Sequence, residues 1–301
     1  MTHFQKQTEF LGHSGPIYCL SESWENHRFL SAGADKLVAH WDITEKQATP
    51  VAKTQTSIYS LQLLKSMDWL LIGQSDGHIA IVDYISRKVL RLIQAHTSGV
   101  FRMRFIPSTN QLISTCAKGQ VRIWNLPDFT LTYSADLVQG RSRGLAVSTN
   151  GSWFATGSAD GMVRLFDAKT MDMVAVNRDH LDAVNALCFD LGNQHLYSAG
   201  KDAHIHKYQF KSGMLELKER IPAHNYAIYD LLISPKDDLL VSCSMDKTIK
   251  IWNPDLGIVT RLDRKNHQGH THSVNTLLLL ESNLLLSAGD DRRIISWSVP
   301  K

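Results

Sequence analysis

One short stretch of the sequence has the residue types and spacing of a nucleophilic catalyst. Residues 140–144, Gly-Arg-Ser-Arg-Gly, match the GxSxG pattern, in which a serine lies on a sharp turn between a strand and a helix. No helical periodicity follows Ser142, so the required turn is not predicted. The sequence also has no phosphate-binding glycine loop, paired-carboxylate motif or nucleotide fingerprint. The sequence therefore gives no case for an enzyme, and no catalytic residue is predicted.

Two groups of histidines have spacings at which side chains can share a metal ion. His204 and His206 form one pair, and His267, His270 and His272 form the other group. The first pair is two residues apart in an alternating run, so both side chains face one side of a strand and fit a packed or solvated pair. His270 belongs to a repeated pattern described below, which leaves too few ligands beside it. We therefore expect neither a metal nor a cofactor.

Composition limits the class of protein. The 301 residues are 43% apolar and 20% charged, which suits a globular chain, and an all-β domain can reach this size as one unit. The polar first residues do not read as a signal peptide, and the apolar runs are shorter than a membrane span. The four cysteines lie in apolar stretches without CxxC pairs, as in an intracellular protein of the cytoplasm, with the nucleus also compatible. A net charge of +3 does not by itself indicate a nucleic-acid or membrane partner.

A repeat runs through the whole chain. Seven segments share a small or polar turn followed by an alternating run, and they place one large side chain at intervals of 41 to 45 residues. These positions are Trp41, Val82, Trp124, Phe166, Tyr208, Trp252 and Trp297. Further alternating runs lie before and after each segment, which gives four short strands per unit. A steady period of this kind indicates one structural unit stacked seven times.

With these features the sequence resembles the WD-repeat family, whose fold is a β-propeller. Gly-His-like dipeptides end at five histidines, each 27 or 28 residues before the large side chain of its unit. They are His13, His96, His180, His224 and His270. The resemblance implies an all-β fold: a seven-bladed propeller of four-stranded antiparallel blades that forms a single domain over residues 1–301.

The resemblance also implies a hydrogen-bonded tetrad of His, Ser or Thr, Asp and Trp inside a blade. The complete sets are His13, Ser31, Asp35 and Trp41; His224, Ser242, Asp246 and Trp252; and His270, Ser287, Asp291 and Trp297. His, Ser and Asp together also suggest a catalytic triad, but a set that repeats in several blades favours a structural role. Blades 3 and 5 keep partial sets, with Lys118 at the Asp position of blade 3. Blades 2 and 4 lack the histidine, and we expect them to rely on apolar packing alone.

The two ends of the chain are expected to complete one blade. The last fifteen residues contain the second and third strands of blade 7, and no segment follows to supply a fourth. Residues 3–10 precede the first Gly-His and have no blade of their own. We expect them to pair with Ile294–Val299 as the outer strand of blade 7, which would close the ring and remove an open sheet edge.

Partner-binding residues are carried over from the family by their place in each repeat. In the family they lie three and five residues after the Gly-His histidine and just before the turn Asp, at the top of the propeller. The positions carried over are Tyr18, Tyr59, Phe101, Arg141, Arg143, Asn185, Lys201, Tyr229, Met245 and Asn275. Aromatic rings could merely cap the channel, or they could form a site with the flanking arginines.

Two classes of function remain open. The first is a non-catalytic scaffold, monomeric alone or a subunit of a larger complex, that binds a protein or peptide on its top face. The arginine pair favours an acidic or phosphorylated segment, whereas the aromatic rings could hold an arginine or lysine. The alternative is a single-stranded nucleic acid, bound by Arg141, Arg143, Lys201, Arg261, Arg264, Lys265, Arg292 and Arg293 with stacking aromatics. It ranks lower because acidic residues are nearly as numerous as basic ones, 29 against 32.

Two polar residues do not fit the repeat. His40 and Lys207 align with apolar positions of the other blades, such as Ile81 and Ile251. The sequence offers no physical explanation for either.

Overall fold

The computed structural model describes residues 4–211, 214–234, 238–280 and 284–299. Within these ranges the chain forms strands β1 to β28, a 3₁₀ turn at Lys65–Met67 and a short helix, α1, at Arg264–His267. The strands form seven antiparallel sheets of four, and each sheet is one blade. The predicted all-β, seven-bladed architecture is therefore confirmed.

The strands follow one order in every blade, from the inside of the ring outwards. The first strands are β2 (Ile17–Glu22), β6 (Ile58–Leu64), β10 (Val100–Ile106), β14 (Ser142–Val147), β18 (Val184–Phe189), β22 (Ile228–Ile233) and β26 (Val274–Leu280). The second strands are β3 (Arg28–Gly33), β7 (Trp69–Gln74), β11 (Gln111–Cys116), β15 (Trp153–Ser158), β19 (His195–Gly200), β23 (Leu240–Ser244) and β27 (Leu284–Gly289). The third strands are β4 (Leu37–Asp42), β8 (His78–Asp83), β12 (Gln120–Asn125), β16 (Val163–Asp167), β20 (His204–Lys211), β24 (Ile249–Trp252) and β28 (Arg293–Ser298). The outer strands are β5 (Ala48–Lys53), β9 (Val89–Gln94), β13 (Thr130–Asp136), β17 (Met173–Asn177), β21 (Met214–Pro222), β25 (Ile258–Leu262) and, for blade 7, β1 (Gln5–Leu11).

The first strands form a ring around a central channel. Each first strand contacts the first strands of the two neighbouring blades, and β2 contacts β26 to complete the circle. We call the face where the first strands begin the top face. It also carries the turns between second and third strands, so the positions inherited from the family lie there.

Apolar layers between adjacent blades form the core. Leu30 and Ala32 of blade 1, for example, belong to one buried cluster with Leu70 and Ile72 of blade 2. The middle strands are covered on both sides, so their residues are buried in nearly continuous runs. Burial of this apolar surface holds each blade against its neighbours and leaves the loops free to differ.

The ring closes through the two ends of the chain, as predicted. Strand β1 pairs antiparallel with β28, with Phe10 opposite Ile294. The Phe10 side chain is 1% exposed. It lies against the ring of Phe29, with centroids 5.2 Å apart, and against the indole of Trp41. The strand begins at Gln5, and His3, the first residue of the predicted segment, lies outside the described residues.

Deleting residues 1–11 should damage the whole ring. The deletion exposes the edge of β28 and removes Phe10 from a buried cluster, so we expect a lower melting temperature and self-association. Thermal unfolding and light scattering after gel filtration measure both effects. The matched control replaces the exposed Gln5 and Gln7 with alanine and should behave as the parent. A monomeric truncated protein with an unchanged melt would contradict the closure.

Candidate functional site

The tetrad in blade 1 forms a continuous hydrogen-bonded network. His13 Nδ1 lies 2.7 Å from Asp35 Oδ2, and His13 Nε2 lies 2.6 Å from Ser31 Oγ. Trp41 Nε1 donates to the same Ser31 oxygen over 2.7 Å. The histidine joins a carboxylate on the top turn to a hydroxyl deep in the blade, so each polar group is satisfied out of contact with water.

Blades 6 and 7 repeat this network. His224 bonds Asp246 at 2.9 Å and Ser242 at 2.8 Å, and Trp252 donates to Ser242 at 2.9 Å. In blade 7 the corresponding distances are 2.9, 2.8 and 2.8 Å. Its members are His270, Asp291, Ser287 and Trp297.

The aspartate of each network also fixes two loops. Asp246 Oδ2 accepts from the backbone N–H of Asn225, in the loop before the first strand, and Oδ1 accepts from that of Thr248, in the turn. Burial alone would raise the pKa of Asp246, but the hydrogen bond and charge of His224 hold it well below the usual carboxyl range. A charged acceptor at this point ties the loop and the turn of the top face to each other.

Blade 5 has a different arrangement around its histidine. His180 bonds Asp202 at 2.8 Å and Ser198 at 2.6 Å. His206, which is fully buried, stacks on His180 with ring centroids 3.7 Å apart, and its Nδ1 lies 3.0 Å from the Tyr208 hydroxyl. Burial, and then the neighbouring His180, lowers the pKa of His206 to about 3.

Ligand atoms of His180, Asp202 and His206 lie within 4.8 Å of one another, as they could around a metal ion. The two rings, however, are only 7° from parallel. The lone pairs of imidazole nitrogens lie in the ring planes, so two stacked rings cannot direct them at one ion at the usual bond length of about 2 Å. The group, as it is arranged, is a packed hydrogen-bonded cluster.

In blades 3 and 4 other residues replace one member of the histidine–aspartate pair. In blade 3, His96 Nε2 lies 2.8 Å from Ser114 Oγ, and Gln120 takes the place of the missing aspartate with its Oε1 3.4 Å from His96 Nδ1. In blade 4, Arg164 Nη2 lies 2.5 Å from Asp160 Oδ2. The expectation that blade 4 relies on apolar packing alone is therefore wrong. Arginine on the third strand reaches the turn carboxylate that a histidine meets in other blades.

A β-bulge places the residues of the channel mouth. In every blade the pairing between first and second strands skips one residue near the start of the first strand. The skipped residues are Tyr18, Tyr59, Phe101, Arg143, Asn185, Tyr229 and Asn275, the seven positions five after the Gly-His histidine or, in blades 2 and 4, after the residue that aligns with it. A bulged residue leaves the regular alternation of the strand, and its side chain is redirected. The bulge gives these seven residues their common place at the top of the ring.

Five of these side chains form a connected layer across the mouth. The rings of Tyr18 and Tyr59 lie 5.5 Å apart, and those of Tyr59 and Phe101 lie 5.4 Å apart. The Arg143 guanidinium lies 5.4 Å from the centre of the Phe101 ring and 5.2 Å from that of Tyr229. Arg143 is thus held by cation–π contact with two rings, and five of the seven bulge residues belong to one layer at the mouth.

The other predicted positions differ in what they can offer a partner. Asn185 donates from Nδ2 to the carbonyl of Ile228, and Asn275 donates to that of Ile17, so both connect adjacent blades. Lys201 pairs with Asp182 at 3.0 Å. The two remaining positions, Arg141 and Met245, are exposed on the top face.

Sequence reasoning missed two exposed apolar residues on the top face. Tyr226 is 61% exposed and Leu181 is 85% exposed. Both lie in the loops that follow a tetrad histidine, where the other blades have small or polar residues such as Gly15 and Ser98. That contrast in composition was the available signal for Tyr226.

The structure explains His40 and Lys207. His40 Nε2 lies 2.9 Å from Ser23 Oγ and 3.0 Å from the hydroxyl of Tyr84, so a small polar cluster joins blades 1 and 2 at the bottom. Burial lowers the pKa of His40, which keeps the imidazole neutral there. Lys207 donates from Nζ to the carbonyl of Pro254 at 2.8 Å and extends to the edge of blade 6. Ser142 of the GxSxG stretch begins strand β14 and is fully buried, away from any strand-to-helix turn.

Comparison with known families agrees with this architecture. A family model described as "WD domain, G-beta repeat" matches residues 4–42, 87–125, 135–167, 172–209 and 215–253, more than half of the chain. The chain belongs to the WD-repeat family. The WD40 β-propeller domain of Doa1 has the same fold, with a TM-score of 0.87, 19% identity and coverage of 100% of this chain and 99% of that one.

Several proteins with different names are similar to this WD-repeat chain. Human Cilia- and flagella-associated protein 52 is 23% identical over 255 residues, which are 83% of this chain and 40% of that protein. Human Pre-mRNA-processing factor 17 is 23% identical over 256 residues, 81% of this chain and 44% of that protein. The U3 small nucleolar RNA-associated protein 15 homolog of Gallus gallus is 26% identical over 186 residues, 61% of this chain and 35% of that protein. The WD-repeat chain thus spans less than half the length of each of these relatives.

Among the described residues, neither α1 nor the 3₁₀ turn has the length and apolar character that a membrane-crossing helix needs.

Replacing Asp246 with alanine should destabilise the protein by roughly 1–3 kcal/mol, because the change leaves buried donors of His224 and two backbone groups without an acceptor. Asp76→Ala is the matched control. Asp76 occupies the same turn in blade 2, where its carboxylate meets the partly exposed His78. Denaturant unfolding compares the two, and an equal effect would show that the network adds no stability.

Stability should fall as pH decreases from 7 to 4. Burial lowers the pKa of His96 to about 4 and that of His206 to about 3, whereas an unfolded histidine titrates near 6.5. Below pH ~6.5 these histidines are therefore protonated in the unfolded chain but not in the folded chain. The free energy of unfolding falls by up to about 1.4 kcal/mol per pH unit for each histidine.

His206→Gln should reduce this slope, because glutamine does not titrate, and the exposed His27→Gln should leave it unchanged. Thermal melts at pH 7 and pH 4.5 give the comparison. Equal slopes for the His206 variant and the parent would contradict the assignment of a neutral buried histidine.

Proposed function

We propose that this WD-repeat protein is a non-catalytic scaffold that binds a peptide or protein segment on its top face. The observation that carries the proposal is an exposed apolar strip beside the channel mouth on blade 6. Tyr226 is 61% exposed and Met245 is 46% exposed. Met245 N donates to the carbonyl of Ala227, and Ser244 Oγ donates to that of Tyr226, so both residues are held on well-bonded backbone.

The loop that carries Tyr226 leads directly into a strand that supplies a residue of the mouth layer. Tyr226 and Tyr229 lie in the same chain segment, three residues apart, and Tyr229 contacts Arg143 in the mouth layer. A partner lying from the rim toward the centre would therefore meet an exposed ring first and the layer of rings next. Large aromatic groups on a rigid frame are the usual anchors of protein interfaces.

An exposed arginine elsewhere on the top face favours an acidic or phosphorylated segment. Arg141 is exposed on the top face of blade 4, next to the blade whose loop carries Leu181. An arginine guanidinium binds a carboxylate or phosphate through two parallel hydrogen bonds. Arg143, by contrast, is already in contact with the two rings around it, so its guanidinium is less available to a partner than that of Arg141.

Single-stranded nucleic acid is the second candidate, because two of the similar proteins carry names that refer to RNA. Its support in the geometry is weaker. Four of the eight basic residues proposed for it are engaged: Arg143 with rings, and Lys201, Arg261 and Arg293 with carboxylates.

We also propose that the protein acts inside the cell, in the cytoplasm or nucleus. All four cysteines are free thiols, and burial raises the pKa of Cys19 to about 12. Free buried thiols suit a reducing compartment.

The double variant Tyr226→Ala and Met245→Ala should lose partner capture from a lysate while its melting temperature stays close to that of the parent, because both side chains are exposed. The matched control is Ile258→Ala with Val259→Ala, two exposed apolar residues on the outer strand of the same blade. Affinity capture with mass spectrometry provides the measurement. If both double variants retain the same partners, the top-face site is wrong.

Salt dependence separates the two candidates. Binding of a protein segment through the apolar strip should weaken only modestly between 50 and 200 mM salt, whereas nucleic acid held by several phosphate contacts should weaken by about a thousandfold or more. Fluorescence anisotropy with the captured partner and with a labelled oligonucleotide measures both. A steep loss with the oligonucleotide, together with tight binding at low salt, would favour nucleic acid.

A further inference from the structure

A cavity of about 290 Å³ lies inside the central channel, below the mouth layer. Its walls come from five first strands: β2, β6, β10, β22 and β26. Two arginines of blade 3, Arg102 and Arg104, line it together with Asp230 of blade 6. The two arginines are two residues apart on one strand and so face the channel on the same side.

The carboxylate of Asp230 is already fully engaged. Its Oδ1 lies 3.0 Å from Arg102 Nη2 and accepts from the backbone N–H of Leu231 at 3.2 Å. Its Oδ2 accepts from Thr276 Oγ1 at 3.3 Å and from the backbone N–H of Leu277 at 3.0 Å. This contact joins blades 3, 6 and 7 across the channel. It neutralises Arg102 and leaves Asp230 no free lone pair directed at a second arginine.

Arg104 is a cation without a carboxylate partner in the part of the chain that the structure describes. Its Nη1 donates to the carbonyl of Met103 at 3.0 Å. The other acid that lines the cavity, Glu22, pairs with Lys65 at 3.1 Å. Burial, and then the charge of Arg102, lowers the pKa of Arg104 to about 10, while Asp230 opposes the shift. Arg104 therefore remains charged at neutral pH in a partly buried position, where an unbalanced charge is costly.

Other donors share the cavity with Arg104. Gln62 uses one of its amide hydrogens for the carbonyl of Leu63 at 3.0 Å and has a second. Ser21, which is 8% exposed, lines the same space. A guanidinium, an amide and a hydroxyl from three adjacent blades form a set of donors suited to an anion with several oxygen atoms.

The cavity is approached from the bottom of the ring. The layer from Tyr18 to Tyr229 lies across the top. The lining of the cavity instead continues to Glu22 and Leu279, near the opposite ends of the first strands. Arg102 is balanced by Asp230 and Glu22 by Lys65, so Arg104 supplies the unbalanced charge, and a positive charge in a narrow passage concentrates anions.

We propose that the channel binds a compact tetrahedral oxyanion of the phosphate or sulfate type, held by Arg104 with Gln62 and Ser21. The volume accepts such an ion with a few waters and is too small for a folded segment or a nucleotide chain. The site is independent of the top-face function, because the mouth layer separates the two.

Thermal unfolding in phosphate or sulfate against sodium chloride of equal ionic strength tests the site. Phosphate stabilises many proteins without binding them, so the comparison between variants is decisive. The parent should show a saturable rise in melting temperature, as a ligand of the folded state gives. Arg104→Gln should lose the saturable part. Arg264→Gln, a matched change on the short helix α1 at the surface, should keep it.

Calorimetric titration with inorganic phosphate provides a second readout. Arg104→Lys keeps the charge and loses the planar fork, so we expect about tenfold weaker binding with an intact fold. This variant also answers the case in which Arg104→Gln fails to fold. The proposal is overturned if all variants respond to phosphate alike, if the parent responds no more than it does to chloride, or if acetate binds better than phosphate.

Discussion

The contact between a histidine and an aspartate in each complete blade is the constraint on which the top face depends. His13 and Asp35, for example, lie 22 residues apart in the chain, on the loop before one strand and on the turn between two others. Their bond fixes both loops relative to the buried Ser31 and Trp41. Because a charged group at the rim is tied to a hydrogen bond in the core, the position of a surface loop is set by the interior of the blade.

The blades without this contact show that the top turn can be fixed by other residue types. Gln120 replaces the aspartate in blade 3, and Arg164 replaces the histidine in blade 4. Each substitute joins the turn to a neighbouring element. Blade 2 has the most apolar middle strands, with Leu70, Leu71 and Ile72 fully buried, and depends on packing between its neighbours. The ring therefore holds its shape with several different local solutions.

The fold could be predicted from the sequence because its signals are periodic: the large side chain from Trp41 to Trp297 recurs in step with the strands, and the closing strand was the one segment without a blade. The reach of a side chain is not periodic. In the sequence, Arg164 is only one residue of a strand and Arg143 only one basic residue near the surface. The structure shows that Arg164 pairs with Asp160 and that two rings contact Arg143. The exposure of a side chain depends on how the loops assemble. The sequence therefore showed only that Tyr226 is a large residue where the other blades have small or polar ones.

The bulge at the start of each first strand affects which amino-acid substitutions the protein can tolerate during evolution. The skipped residue belongs to no pair in the sheet, so its identity is not restricted by a partner on the next strand. The same backbone position accordingly carries tyrosine, phenylalanine, arginine and asparagine around a single ring. Seven such positions meet at one opening, and a substitution there leaves the strand pairing intact, although Asn185 and Asn275 also bond the neighbouring blade. A propeller built in this way can vary the side chains at its opening while it keeps its fold.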